Sequence, residues 1–235
     1  MMDRSRELAR AAARVREELA QAAQRAGRDP GQVTLVAVSK FHPAGDIRAL
    51  AEAGQADFGE NYVQEALAKR EELADLALRW HFIGGLQTNK ARFVAGNFAL
   101  VHSVDSMKLA RALDGRASGL GVVQDILIQV NVAGEEQKSG VDEAGLPELA
   151  EAVEAMPGLR LTGLMTLPPF FDDPERARPV FARLRRLRDG LEGRLGRPLP
   201  HLSMGMTGDF AAAVEEGATV VRIGTRIFGA RAPRQ

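Results

Sequence analysis

A chain of 235 residues, 45% of them hydrophobic, can bury one large core, and α/β barrels of ~250 residues form a single domain, so residues 1–235 are read as one domain. Lysine plus arginine and aspartate plus glutamate balance at 31 each, so no long-range field favours nucleic acid or an anionic membrane, and any anion has to be bound locally. Cysteine is absent, which excludes disulfides, thiolate metal sites and thiol nucleophiles; the polar start and the lack of a ~20-residue apolar run predict a cytoplasmic protein without a membrane segment, read here as a monomer.

Leu8, Val15, Leu19 and Ala22 fall on one helical stripe between residues 5 and 26, and Gly27, Asp29 and Pro30 stop it. A leading helix is therefore expected before the first strand. Short apolar or β-branched runs then alternate with 3.6-period segments. Strands are predicted at 33–39, 56–59, 80–84, 99–103, 126–132, 159–165, 200–204 and 220–224, with helices at 47–53, 62–76, 90–95, 107–117, 146–156, 174–191 and 210–215. The helix opened by Asp173-Pro174 carries Ala177, Val180, Phe181, Leu184, Leu187 and Leu191 on one face and should be among the longest.

Runs such as Leu35-Val36-Ala37-Val38 and Ile126-Leu127-Ile128 are apolar on both faces, as parallel strands covered by helices require. Eight βα units in that order predict an α/β fold: a single (β/α)8 TIM-type barrel with an extra N-terminal helix. An open doubly wound sheet is the alternative, but no glycine-rich dinucleotide fingerprint follows any strand.

In such a barrel the loops after the strands build the site, and phosphate commonly sits after strands seven and eight. The seventh strand runs into Ser203-Met204-Gly205-Met206-Thr207-Gly208-Asp209, and the eighth ends in Arg222-Ile223-Gly224-Thr225. Both loops combine glycine with hydroxyls and can offer backbone N–H groups to an anion, although each glycine alone also suits a plain tight turn. Only Lys40, Lys69, Lys90, Lys108 and Lys138 are lysines, and lysine can form an imine where arginine cannot. Lys40 ends the first strand. Desolvation there, and a cation such as Arg222 nearby, would favour the neutral amine that attacks an aldehyde; a lysine snorkelling to water is the alternative.

The four histidines show no metal-ligand spacing. His81 and His201, at strand starts, read as structural, while His42 faces either the site or solvent. Of the strand-end polar residues Asn61, Ser103 and Asn131, only Asn61 is placed in the site.

The stretches AVSKFHP from Ala37, FGENYVQEA from Phe58, WHFIGGLQTNK from Trp80, HSVDS from His102, NVAGEEQKSG from Asn131, GLMTLPP from Gly163, HLSMGMTGDF from His201 and VRIGTRIFGAR from Val221 span nearly the whole chain. In them the sequence resembles the pyridoxal phosphate homeostasis family, itself similar to the barrel domain of alanine racemase. The resemblance implies pyridoxal 5′-phosphate as cofactor, an imine at Lys40, Ser203, Gly224 and Thr225 near the phosphate with Met204 and Gly205 in the same loop, and Arg222 facing the pyridine nitrogen. Two positions depart from the pattern of many relatives, which carry a second lysine at His42 and a proline at Gly85; the glycine should loosen the turn after the third strand.

An arginine opposite the pyridine nitrogen disfavours its protonation and weakens the ring as an electron sink. Alanine racemases tolerate that arginine but also use a tyrosine base from a second domain of the partner subunit. Here the only tyrosine is Tyr62, and the sequence ends just after the eighth strand. The expected function is to carry or buffer the cofactor, with little or no catalysis, and to hand it to apo-enzymes. A racemase or lyase acting on an amino acid is the alternative, and a Schiff-base aldolase for a phosphorylated sugar is the third.

Overall fold

A computed structural model describes residues 2–135 and 137–230. Eight parallel strands close into a barrel in sequence order: β1 (Thr34–Val38), β2 (Asp57–Glu60), β3 (Arg79–Phe82), β4 (Leu100–Val104), β5 (Gln124–Gln129), β6 (Leu159–Met165), β7 (His201–Ser203) and β8 (Val220–Ile223). Thr34 to Ala37 pair with Val220 to Ile223, which joins the last strand to the first. The open-sheet alternative is thereby excluded.

The helices are α1 (Met2–Arg25), α2 (Ala44–Glu52), α3 (Val63–Glu72), α4 (Ala91–Val94), α5 (Met107–Gly119), α6 (Leu146–Glu154), α7 (Arg178–Leu195), α8 (Phe210–Glu215) and α9 (Thr225–Phe228). The α9 turn was not foreseen, and its four residues are too short to cover the outer face of the barrel beside β8. The leading helix α1 fills that place: it packs against α2, α8 and α9 and buries Leu8, Ala12, Val15, Leu19, Ala22 and Ala23 at helical spacing. The predicted helix at 90–95 is a 3-10 turn (Thr88–Lys90) running into α4, and that at 62–76 stops at Glu72. The predicted strand at 126–132 lies three residues earlier at its C-terminal end, because the Asn131 N–H leaves the sheet to bond Val141 O. Among the described residues no helix is long and apolar enough to cross a membrane.

The barrel lumen is divided. Leu100, Leu127 and Met165, with Leu167 against them, form an apolar cluster separate from the main core, which lies between strands and helices. Across from them the lumen is polar: His102 of β4 bonds Ser203 of β7 at 2.8 Å, and since those strands are not neighbours, that bond crosses the interior. Branched apolar side chains ordinarily fill this space. The exception lies directly beneath the site.

Candidate functional site

A cavity of about 740 Å³ opens at the carboxyl ends of the strands, within the range of small-molecule sites. Its wall includes Lys40, Asn61, Arg222, Gly224 and Thr225. These five sequence-predicted residues come together from β1, β2 and β8.

Lys40 stands in a turn two residues beyond β1. Ser39 O accepts from His42 N at 3.0 Å, and Phe41 takes φ 67°, the only positive φ at a non-glycine among the described residues. A side chain in that conformation costs about 1–2 kcal/mol, so neighbouring contacts have to hold it. The Phe41 N–H donates to Glu65 Oε1 at 2.5 Å, and the Lys69 ammonium donates to Ser39 O, Glu60 Oε1 and Glu65 Oε1 at 2.7, 2.7 and 2.6 Å. Glu65 and Lys69 are one turn apart on α3, on the face toward the barrel. Ser39 Oγ also donates to Glu60 Oε1. Backbone on both sides of Lys40 is thus fastened to one buried ionic cluster. Burial pushes the Glu60 carboxyl above its ordinary range, with Lys69 pulling against it.

Asn61 follows Glu60, lines the cavity, and has a buried Oδ1 without a hydrogen-bond partner. Gly84 makes room for it: a Cβ there would stand 2.3 Å from Asn61 O. Gly85, by contrast, faces open space, and a Cβ there would meet nothing within 4 Å.

Arg222 is 4% exposed, yet its guanidinium is fixed by donation to Ser203 Oγ and to Thr166 O at 3.0 Å. Burial lowers its pKa to about 10, opposed by Asp209, so it stays cationic at neutral pH. Ser203, Met204 and Gly205 do not line the cavity. Strand alternation turns Ser203 into the lumen and Met204 into the outer core, and both are fully buried. Gly205, at φ 92°, lets the loop pass so close to α8 that a Cβ would lie 2.6 Å from Ala213 Cβ. The wall after β7 is built instead by Met206, Thr207, Gly208 and Asp209. Asp209 Oδ1 accepts from Met206 N at 2.6 Å, and burial raises the Asp209 pKa despite that bond and the attraction of Arg222.

The wall opposite β1 was not anticipated. It is the loop after β6, Leu167 to Phe171, which Lys138 supports by donating to Pro168 O at 3.0 Å while pairing with Glu135 at 2.6 Å. Two prolines in GLMTLPP were the available signal. Asn131 closes the preceding loop through Glu135, outside the cavity wall, and Ser103 is buried in β4. His42 lines the cavity with its ring stacked on Phe228 at 4.6 Å. His81 is buried and bonded to Asp57 and His102, the structural use expected of it. Among the described residues no cluster of three or more His, Cys, Asp or Glu is placed to hold a metal. Tyr62 is 47% exposed, packs on Phe41, and is not part of the cavity wall.

Residues 11–232 match the family model described as alanine racemase, N-terminal domain. Similar proteins include the pyridoxal phosphate homeostasis protein of Pseudomonas aeruginosa, 53% identical over 95% of this chain and 94% of that one, and that of Aquifex aeolicus, 49% identical over 93% and 96%. The structure of PipY from Synechococcus elongatus with PLP bound is similar at TM-score 0.81 and 40% identity, covering 92% of this chain and all of that one.

Proposed function

The chain belongs to the pyridoxal phosphate homeostasis proteins, and from that premise we propose that it binds pyridoxal 5′-phosphate and buffers or carries it, with Lys40 as the point of attachment and little or no catalysis of its own. The observation that carries this reading is the convergence of Lys40, Arg222 and the Gly224-Thr225 turn on one cavity wall. The residues present fit the group. The buried Asn61 Oδ1 lacks a partner, a cation and an amine share the wall, and the volume suits a ligand of that size. When bound, the cofactor supplies an electrophilic aldehyde and a ring able to delocalise charge.

Lys40 supplies the amine, held in place by its clamped turn rather than by a mobile loop. The amides of Gly224, the N-cap of α9, and of Thr225, its first residue, have no acceptor inside that helix and can donate to a phosphate, consistent with a chain of zero net charge. Arg222 contributes a fixed positive charge. A guanidinium beside a ring nitrogen disfavours protonation there, which suits holding the cofactor better than using it as an electron sink. The cavity wall presents no tyrosine to act as a second base. Apo-enzymes are the natural recipients of a buffered cofactor.

Borohydride reduction of the loaded protein followed by peptide mapping should leave the adduct on Lys40; an adduct mainly on Lys90 or Lys138 overturns the assignment. Exchange of an amino acid's α-proton in deuterated buffer should stay far below enzyme-like rates, and fast exchange would restore the racemase alternative.

A further inference from the structure

Arg222 is one end of a hydrogen-bonded series that the proposed function does not use. Its guanidinium meets Ser203 Oγ; Ser203 Oγ lies 2.8 Å from His102 Nδ1; His102 Nε2 lies 3.0 Å from His81 Nδ1; and His81 Nε2 lies 3.0 Å from Asp57 Oδ1. All five side chains are buried, and the members come from β8, β7, β4, β3 and β2. Asp57 begins β2 at the opposite end of the barrel, where it also accepts from Arg79, whose side chain is 61% exposed. Asp57 and Arg79 line a second recess there, so the series runs from one end of the lumen to the other.

The two ends fix the direction of every proton between them. A guanidinium only donates, so Ser203 Oγ accepts from Arg222 and has one proton left to give. Given to His102 Nδ1, that proton leaves His102 with its own on Nε2, which donates to His81 Nδ1; His81 then donates from Nε2 to the Asp57 carboxylate. Every group is satisfied with both imidazoles neutral. The reverse order fails. If His102 donated to Ser203, the serine proton would have no acceptor in a fully buried site, and a neutral His81 would turn a lone pair toward the carboxylate. Burial, with the Arg222 cation adding to it, keeps His102 well below the ordinary imidazole range and so neutral.

We propose that these five groups form one polarised chain, its protons all pointing from Arg222 toward Asp57, and that Asp57 is thereby a positioning residue for the guanidinium of the site. The role of that guanidinium rests on the cofactor reading above; the polarity of the chain does not. Removing the Asp57 carboxylate takes away the terminal acceptor, lets both imidazoles adopt either tautomer, and loosens the serine lone pair on which Arg222 is seated.

The test begins with the cofactor-free, ¹⁵N-labelled protein at pH 7.5. Long-range ¹H–¹⁵N spectra should show His102 and His81 neutral and protonated on Nε2. A proton on His102 Nδ1, or a doubly protonated ring, overturns the proposal without any variant. In Asp57→Ala the His102 signals should move toward a mixture of tautomers, whereas Arg79→Ala, which removes only the surface partner of Asp57, should leave them in place. Unchanged His102 signals in Asp57→Ala, or equal changes in both variants, would also sink it. Titration with pyridoxal phosphate, followed by visible absorption, should then weaken about three- to tenfold in Asp57→Ala and not in Arg79→Ala, the scale of one net hydrogen bond. If neither wild type nor variants take up the cofactor, the functional reading fails while the tautomer result stands. Normal uptake with unperturbed tautomers has the opposite meaning.

Discussion

Lys40 and Arg222 belong to neighbouring strands and share a cavity wall, but they are held in different ways. At Lys40 the fastening reaches the backbone on either side, from outside the barrel, through charged groups on α3. At Arg222 it reaches the side-chain tip, from inside the lumen, through a hydroxyl and two imidazoles that end at a distant carboxylate. On the function proposed above, Lys40 is the residue that reacts and has its main chain fixed, whereas Arg222 presents a constant charge and has its tip fixed. The comparison also separates two kinds of buried polarity. One is a compact ionic cluster that leaves Glu60 Oε2 without a partner, and the other is an extended chain that runs from guanidinium to carboxylate through a hydroxyl and two imidazoles.

Breaking the ionic cluster should have the largest effect. Lys69→Met leaves Glu60 and Glu65 facing each other without their shared cation, and urea denaturation should show a loss of about 3–5 kcal/mol, partly recovered when Glu60→Gln is added. A loss below about 1 kcal/mol would mean that the clamp on Lys40 does not depend on charge.

The second prediction concerns pH. Burial depresses His102 and, less severely, His201, so the unfolded chain binds protons that the folded one refuses. Their contribution to stability is complete above the ordinary histidine value of 6.5 and is lost as pH falls below it, by up to about 1.4 kcal/mol per pH unit for each imidazole. Glu60 has the opposite sign: its raised pKa costs stability as pH rises through that value. Urea midpoints measured from pH 7.5 to 5.5 should therefore fall in wild type and fall less steeply in His102→Gln. Parallel curves for the two proteins would remove His102 from the account.

The smallest effect should come from Arg79→Ala. Its pair with Asp57 is largely exposed on the arginine side, so thermal or urea unfolding should register about 0.2–1 kcal/mol, shrinking further in 0.5 M salt. A larger loss would show that the polarised chain draws on its surface anchor more than its buried members imply.

The barrel was legible because its signals are local. Strands apolar on both faces, turns of glycine and proline, and helices with one apolar stripe each declare themselves within about ten residues. That Lys40, Asn61, Arg222, Gly224 and Thr225 share one cavity wall was legible because strand ends in a barrel all point to one face. That rule did not reveal that Ser203 turns into the lumen and is absent from the cavity wall. A residue at a strand end and one inside the lumen differ by a single step of alternation, and β7, with only three residues, gave little to count from. The polar chain was invisible for another reason. His102 and Ser203 are 101 residues apart and meet only because the barrel closes, and His81 and Asp57, 24 apart, meet only through the register of β2 against β3. The β6 loop was missed because prolines mark where a chain turns without telling which cavity it walls.

If the chain stores an aldehyde, as proposed above, the distribution of its amines matters. A carrier is itself exposed to the reagent it stores, and each surface lysine is a place for a stray adduct to accumulate. Here 26 of the 31 basic residues are arginines, whose guanidinium groups do not form imines, and Lys69 is enclosed among carboxylates. Beyond the two lysines of the cavity wall, only Lys90 and Lys108 remain. On that proposed reading, prolonged incubation with excess cofactor should add few adducts beyond the first equivalent, chiefly at Lys90 and Lys108, and the chain would be a container that resists corrosion by its own contents.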